Sequence, residues 1–380
     1  MVHKDITHLK IGVLGGGQLG RMMIQSAINY NLNISILDPD PNAPCSSLVS
    51  DFTIGPLTDF DTVYNWGKDK ELITIEIENV SVEALKKLQS EGVKVFPQPE
   101  VIELIQDKRT QKEFYKNQDI PTSSFVLTEN AAEVKQNQAM LPAVNKLGKE
   151  GYDGRGVQII RSEKDFEKAF DKPGLLEELV DFDKELSVIV ARNENGQTNC
   201  FPVVELSYHP EHNLVEFLFA PAQISQDHEQ KAYGVAIDVI NKLEMVGLLA
   251  VEMFLTKEGE ILVNEVAPRT HNSGHQTIEA NITSQFEQHL RAILNLPLGS
   301  TELSTPAAMV NLLGEDGYTG DAIYEGIEDC METKGVYVHL YGKKVTKPFR
   351  KMGHITIVDP SVEELKTKAR KIKNTLKVKA

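Results

Sequence analysis

Leu248-Leu249-Ala250-Val251-Glu252-Met253-Phe254-Leu255, the turn Lys257-Glu258-Gly259-Glu260 and the run Ile261-Leu262-Val263-Asn264-Glu265 make up the stretch whose reading decides the fold. Leu248 to Leu255 is apolar and β-rich but for one carboxylate, and reads as a buried strand. Ile261 to Val263 resumes an apolar strand. With 257–260 as the loop of a hairpin, Thr256 faces Ile261 and Glu252 falls opposite Glu265. Opposed carboxylates repel and destabilise a sheet. A divalent cation between them removes that cost. Hard oxygen donors suit Mg²⁺, which takes one or two carboxylates and completes its shell with water and phosphate oxygens. If instead one Glu is solvated at a strand end, the pairing is accidental and needs no ion. The residues C-terminal to the hairpin weigh against that reading: Asn264-Glu265-Val266-Ala267-Pro268-Arg269-Thr270-His271-Asn272-Ser273-Gly274-His275 packs two amides, a carboxylate, a guanidinium and two imidazoles into twelve residues. Such density suits a site that holds a metal ion, a polyphosphate and a small anion together.

Outward from this stretch, the 380 residues allow two or three domains, and 41% hydrophobic with 25% charged residues is ordinary for a globular protein. A net charge of −15 argues against a nucleic-acid partner, whose binding needs clustered Lys and Arg. Cys45, Cys200 and Cys330 lie far apart with no CxxC spacing, which argues against zinc and disulfides and fits a reducing compartment. No segment approaches the ~18 uninterrupted apolar residues of a membrane span, and MVHKDITHLK lacks the apolar core of a signal peptide. A cytoplasmic protein with no membrane contact is expected.

Residues 9–97 alternate strand and helix. Strands are expected at Leu9–Leu14, Ile34–Leu37, Leu72–Ile77 and Val93–Phe96, with one helix after Gly20 and another from an N-cap at Ser81 to Gln89. This rhythm implies a parallel sheet covered on both faces. One helix from about Glu100 to Lys116 leads out of it. Residues 120–180 read as a small α+β unit with strands near Ser124–Leu127, Ala143–Leu147, Val157–Ile160 and Leu175–Glu178. A hairpin turning at Asn195-Gly196, a helix near 226–244, the acidic hairpin, and a helix from Thr277 to Leu294 follow. The last 80 or so residues carry short strands and a Lys-rich helix.

Gly15-Gly16-Gly17-Gln18-Leu19-Gly20 matches G-x-G-x-x-G between a strand and a helix, with Asp38 ending the next strand. A dinucleotide, another phosphate, or close strand–helix packing would each suit it. A second glycine loop, Lys146-Leu147-Gly148-Lys149-Glu150-Gly151-Tyr152-Asp153-Gly154-Arg155-Gly156, can bring backbone N–H groups against phosphates or be a polar hairpin tip. No GxxxxGK[ST] occurs, so a nucleotide would need a different phosphate-binding fold.

In combination the motifs are more specific. LGGGQLGRMM (14–23), TIEIENV (74–80), QDKRTQKEF (106–114), GYDGRG (151–156), EELVDFDKELSV (177–188), VEMF (251–254), NEVAPRTHNSGH (264–275), YGKK (341–344) and RKMGH (350–354) occur in the order of the N5-carboxyaminoimidazole ribonucleotide synthetases, and from about 11 to 358 the chain resembles that family. The resemblance implies an ATP-grasp fold, α/β and α+β in several domains. These are a Rossmann-like N-terminal domain (1–105), a lid-bearing subdomain (106–180), a larger subdomain with the metal site (181–297) and a small β-rich C-terminal domain (298–380). It implies a purine-biosynthetic ligase in which ATP activates bicarbonate as carboxyphosphate. The exocyclic amine of 5-aminoimidazole ribonucleotide captures the carbon, and ADP and phosphate leave. It also implies a homodimer.

By motif, the resemblance places Lys108 and Lys146 on ATP phosphates, the loop Gly151 to Gly156 with Val157 over them as a lid, and Glu177, Glu178, Leu179 and Val180 around the adenine. Glu185 is expected on the ribose hydroxyls. Glu252 and Glu265 hold Mg²⁺, with Asn264 beside them. Arg269 clamps bicarbonate or carboxyphosphate, since a guanidinium fork matches planar oxyanions. His271, Asn272, Ser273 and His275 form the floor where the imidazole reacts. Gly17, Gln18 and Leu19, with Lys343, Arg350 and Lys351, take the ribonucleotide phosphate; Tyr152, Asp153, Arg155 and Glu76 take its ribose and ring. His209 or His212 contacts nucleotide or sits on the surface. Lys108 stands where many relatives have Arg, Val157 replaces a common Gln, and Glu205-Leu206-Ser207-Tyr208 stands where Glu-Asn is usual. A formate-dependent transformylase of the same fold, an NAD-dependent oxidoreductase and a non-catalytic nucleotide-binding regulator are the competing expectations.

Overall fold

The computed structural model describes residues 5–149, 156–208 and 215–380. Residues 10–95 build a five-stranded, all-parallel sheet in which Lys10–Leu14 lies central, between Asn33–Asp38 and Leu72–Ile75. Ser81 caps the helix Val82–Ser90, accepting from the Ala84 N–H, as its sequence foretells. The strand Asp51–Ile54 and the helix Phe60–Gly67 are additional; both are short and half-exposed, so their pattern is weak.

A four-stranded antiparallel sheet spans residues 125–178, and a nine-stranded sheet runs from the acidic hairpin through Phe182–Arg192 and on to the C-terminal strands Ala307–Leu313, Lys351–Val358 and Val336–Leu340. The C-terminal unit is thus hydrogen-bonded into the same sheet as the acidic hairpin. The helix Gln226–Lys242 covers this sheet, burying Ala232, Ala236, Val239 and Ile240 against Leu186, Val188, Leu249 and Val251.

Two expected helices are broken. Glu100–Lys116 is two helices, Pro99–Ile105 and Lys108–Asn117, because the Asp107 carboxylate accepts from the Arg109 N–H and starts a new helix. The run 277–294 is likewise Thr277–Ala280 and Gln285–Ile293, the second capped by Ser284. That second helix buries Phe286, Leu290 and Ile293 against Ile11, Val13, Met22 and Met23 of the parallel-sheet unit. One apolar core therefore joins the two units.

The register at the hairpin tip also differs from expectation. Leu255, not Thr256, faces Ile261, since the turn closes through Gly259 N–H to Thr256 O at 3.0 Å with Gly259 at φ +83°. A bulge opposite the step from Met253 to Glu252 then skips Asn264 and restores the Glu252–Glu265 pairing. A bulge re-aims a side chain, and here it turns Asn264 out of the ladder beside the paired carboxylates.

Candidate active site

The two carboxylates face two lysines. Lys108, in the first turn of Lys108–Asn117, is ion-paired and hydrogen-bonded to Glu265 Oε2. Lys146 Nζ donates to Asn264 Oδ1 at 2.9 Å and lies 3.1 Å from Glu177 Oε2. One turn beyond Lys108, on the same helix face, Lys112 lies fully buried 3.5 Å from Glu177 Oε1 and donates to Ser123 Oγ at 3.0 Å. Sequence reasoning passed over Lys112; its spacing of four from Lys108 was the available signal. Glu177 is thus held by its carboxylate between two lysines, while the Leu179 N–H donates to Pro142 O at 3.3 Å.

These contacts set the charges. Burial pushes the Glu252 carboxyl up, and the charges of Glu265 and Glu185 push the same way. Lys108 draws Glu265 down, against burial. Burial opposes the Lys108 charge, but Glu265 with Glu177 and Glu252 outweighs it and raises the ammonium pKa. Burial pushes Lys112 down to about 8, with Glu177 resisting. Glu177 would rise on burial; Lys146 and Lys112 reverse this and hold it below the ordinary carboxylate value.

Among the described residues no group of three His, Cys, Asp or Glu side chains is placed to hold a metal ion. Two carboxylates in cross-strand register with an amide oxygen nearby nevertheless fit Mg²⁺, which needs no more from protein when phosphate oxygens complete its shell. The raised Glu252 is the electrostatic cost that such an ion would offset.

Beyond the hairpin the chain bends at Pro268 and runs into the segment 271–275. The His271 ring lies 3.8 Å from Glu252 Oε1 through Nε2 and shares a 2.9 Å hydrogen bond with Ser273 Oγ through Nδ1. Ser273 Oγ in turn shares one of 2.8 Å with Ser187. Gln285, wholly buried, accepts from the His271 N–H at 2.8 Å and donates to its C=O at 2.7 Å. It fixes the loop and was also absent from the sequence-based site. A Cβ on Gly274 would sit 2.3 Å from Ile189 Cδ1, so glycine lets this segment pack close to the strand Phe182–Arg192. Asn272 Oδ1 and His275 Nε2 are buried without a hydrogen-bond partner among the described residues. His275 stacks on His354 at 4.5 Å, and His354 on His339 at 4.4 Å.

Arg269 reaches across to the parallel-sheet unit, its Nε 2.9 Å from Glu78 Oε1. Glu76 lies beneath the first glycine loop, where its Oε1 accepts from the Leu19 N–H at 3.1 Å, and a Cβ on Gly17 would meet that oxygen at 2.5 Å. Burial pushes the Glu76 carboxyl up to about 7, while Arg269 and Lys343 pull it back. Asp38 accepts from the Gly16 N–H at 2.6 Å and so braces the loop itself. That employment weakens the dinucleotide reading, which needs Asp38 for a ribose. From the C-terminal unit, Lys343 donates to Lys351 O at 2.7 Å, and the Lys351 charge bears on both Glu252 and His275. Arg350 donates to Val345 O at 2.5 Å on its own hairpin. Glu185 sits in the strand beside Glu252's, paired with Phe254 and Leu206. Of the second glycine loop, Gly148 O accepts from the Lys108 N–H at 2.8 Å and Gly156 O from the Leu147 N–H at 2.9 Å, so its base abuts the Lys108 helix. Gly151, Tyr152, Asp153, Gly154, Arg155, His209 and His212 lie outside the described residues.

A small antiparallel sheet and a larger one, with a glycine-loop base, paired lysines and paired carboxylates between them, define the class: this is an ATP-grasp protein. Residues 113–286 match the ATP-grasp domain family, 8–106 the ribonucleotide synthetase preATP-grasp domain, and 307–368 the phosphoribosylaminoimidazole carboxylase C-terminal domain. The chain is 37% identical over 361 residues to the N5-carboxyaminoimidazole ribonucleotide synthase of Bacillus subtilis, covering 93% of this chain and 92% of that one. It superposes on the N5-carboxyaminoimidazole ribonucleotide synthetase of Thermotoga maritima with TM-score 0.90 and 45% identity, over 98% and 99% of the two chains. It superposes on the Aspergillus clavatus N5-carboxyaminoimidazole synthase in complex with ADP and 5-aminoimidazole ribonucleotide with TM-score 0.88 and 32% identity, over 97% and 98%. The chloroplastic phosphoribosylaminoimidazole carboxylase of Vigna aconitifolia is longer: the chain, 40% identical over 366 residues and matched over 94% of its own length, spans 65% of it. The chain belongs to the N5-carboxyaminoimidazole ribonucleotide synthase family.

Proposed function

We infer that the protein carboxylates 5-aminoimidazole ribonucleotide at its exocyclic nitrogen, with ATP and bicarbonate consumed and ADP, phosphate and a proton released. The observation that carries this reading is the Glu252–Glu265 pair, set in register across the acidic hairpin and faced by Lys108 and Lys146. Phosphoryl transfer needs positioning and charge neutralisation more than covalent chemistry, and this constellation supplies both. Lys108 and Lys146 would neutralise the triphosphate. Glu252 and Glu265 would hold Mg²⁺, which when bound would supply charge neutralisation for the triphosphate. Arg269 would hold the bicarbonate or carboxyphosphate oxyanion. His271, anchored through Ser273 and Gln285, would present a fixed floor to the aminoimidazole, and His275, wholly buried on His354, would support it from beneath.

Division of the chain at 105, 180 and 297 separates these tasks. The parallel-sheet domain, through Gly17, Gln18 and Glu76, would take the ribonucleotide. The two middle subdomains would close on ATP, and the C-terminal domain would contribute Lys343, Arg350 and Lys351. Carboxyphosphate hydrolyses readily, so the 151–156 loop is proposed as the cover that excludes water. A homodimer in the cytoplasm belongs to the same reading.

Crystals grown with Mg²⁺ and a non-hydrolysable ATP analogue test it. The triphosphate should lie between Lys146 and the two carboxylates, with the purine by Glu177–Val180. A nucleotide seated on the first glycine loop instead would favour the dinucleotide alternative and overturn this one.

A further inference from the structure

Resting on the carboxylation reading, we propose that Glu78 is a positioning residue that sets the guanidinium of Arg269, and that the parallel-sheet domain thereby controls the anion site of the ATP-grasp domains. The two residues come from different units. Glu78 follows the strand Leu72–Ile75 of the parallel sheet, and Arg269 follows the strand Ile261–Ala267 of the acidic hairpin. Their contact, Nε to Oε1 at 2.9 Å, is largely shielded, with the side chains 19% and 23% exposed. Bulk salt screens a pair in such a place much less than one on the open surface.

The Glu78 end is rigid. The Gln106 side-chain amide donates to Glu78 O at 2.7 Å and to Val80 O at 3.0 Å, and the Val80 N–H donates to Glu78 O at 2.9 Å. The segment is thereby tied to the end of the helix Pro99–Ile105. The Arg269 end is partly set by its own loop, where Nη1 donates to Thr270 O at 3.0 Å. The ion pair holds the guanidinium head of Arg269 against the parallel-sheet unit by charge. A guanidinium fork matches a planar oxyanion, so where the head is held decides whether it meets the anion. Glu76, two residues earlier in the chain, also feels the Arg269 charge. One short segment, 76–78, therefore faces the ribonucleotide loop with its first carboxylate and the anion arginine with its second.

The tests are kinetic and structural together. Glu78→Ala should lower kcat/KM for bicarbonate roughly 10- to 100-fold, the size of effect that a misplaced reacting group produces, while the KM for ATP stays within about twofold. Glu78→Gln keeps the volume without the charge and should stay impaired, whereas Glu78→Asp keeps the charge and should recover part of the loss. Arg269→Ala and the Glu78→Ala/Arg269→Ala double variant should be equally impaired, since Glu78 acts only through Arg269. Additive losses, or equal increases in the constants for ATP and bicarbonate, would overturn the proposal. A crystal structure of Glu78→Ala should show the Arg269 guanidinium displaced from its present position; an unmoved guanidinium also overturns it. If the wild-type protein shows no bicarbonate-dependent turnover, the carboxylation reading fails, and the Arg269 geometry in that crystal still decides the role of Glu78.

Discussion

Glu265 concentrates the site's charge at the scale of a single residue. It is paired with Lys108, opposed to Glu252, and one residue from the bulged Asn264. Glu265→Gln keeps the volume and removes the charge. Turnover should fall at least ~10²-fold, as when one pre-organised electrostatic group is lost, with the melting temperature little changed. Near-normal turnover in a steady-state ADP assay would refute the metal assignment. Much of this was legible beforehand, because Glu, Asn, Arg and His in close succession have few uses other than chemistry. Lys112 was legible only in its spacing of four from Lys108, and Gln285 not at all. Both act from inside helices whose spacing reads as ordinary amphipathic surface, and both became informative only when the fold buried them against Glu177 and His271. Glu78 was hidden by its neighbour: in Glu76-Ile77-Glu78 the motif drew attention to the first carboxylate, while the second makes the contact with Arg269.

Among elements, the helix Gln285–Ile293 matters most, since it faces two ways. Phe286 is buried in the core shared with the parallel-sheet unit and stacks on His275 at 6.1 Å. Phe286→Ala should cost about 3–5 kcal/mol in urea denaturation, the usual range for a large core truncation. It should also impair turnover beyond the loss of folded protein. A cost under ~1 kcal/mol would show that the two units do not depend on this core. At the C-terminal hairpin, Arg350→Ala should raise the KM for the aminoimidazole ribonucleotide and leave that for ATP alone; equal increases in both would mean the phosphate site is misplaced. Strand identities were readable from apolar runs, and the pairing of Glu252 with Glu265 followed from hairpin arithmetic. The arithmetic missed that a one-residue slip at the turn is offset by a bulge at Asn264, because nothing in the sequence distinguishes a bulged residue from a paired one. The two broken helices failed for a related reason. Asp107 and Ser284 are cap residues, but each sits in a pattern that a continuous helix would also produce.

The whole molecule answers to pH through its buried imidazoles. Burial lowers the His289 pKa to about 4 and those of His275 and His354 well below the ordinary value. For each, the unfolded chain takes up a proton near pH 6.5 that the native state refuses. The stability of the neutral form is thus fully present above that pH and is lost as pH falls toward the native value. Glu76 and Glu252, whose carboxyls are raised, act in the opposite sense over a similar range, so the net slope conceals the imidazoles. A difference measurement isolates one. His289 Nε2 shares a 3.0 Å hydrogen bond with Thr74 across the two units. Gln at 289 keeps a partner for Thr74 and cannot titrate. Between pH 7.5 and 5.5, the stability of His289→Gln relative to wild type should shift in favour of the variant by about 1 kcal/mol. No shift would mean that His289 is protonated as readily in the fold as in the unfolded chain.

The same scale holds the central claim, that four units of one chain bring ATP, bicarbonate and an aminoimidazole ribonucleotide to one cleft. The purified protein with Mg²⁺ and ATP should be assayed for ADP release with and without 5-aminoimidazole ribonucleotide while bicarbonate is varied. The account predicts release that saturates with bicarbonate, rises on adding the ribonucleotide, and matches one carboxylated ribonucleotide per ADP. ADP release that ignores bicarbonate, or that depends on formate in its place, would contradict it.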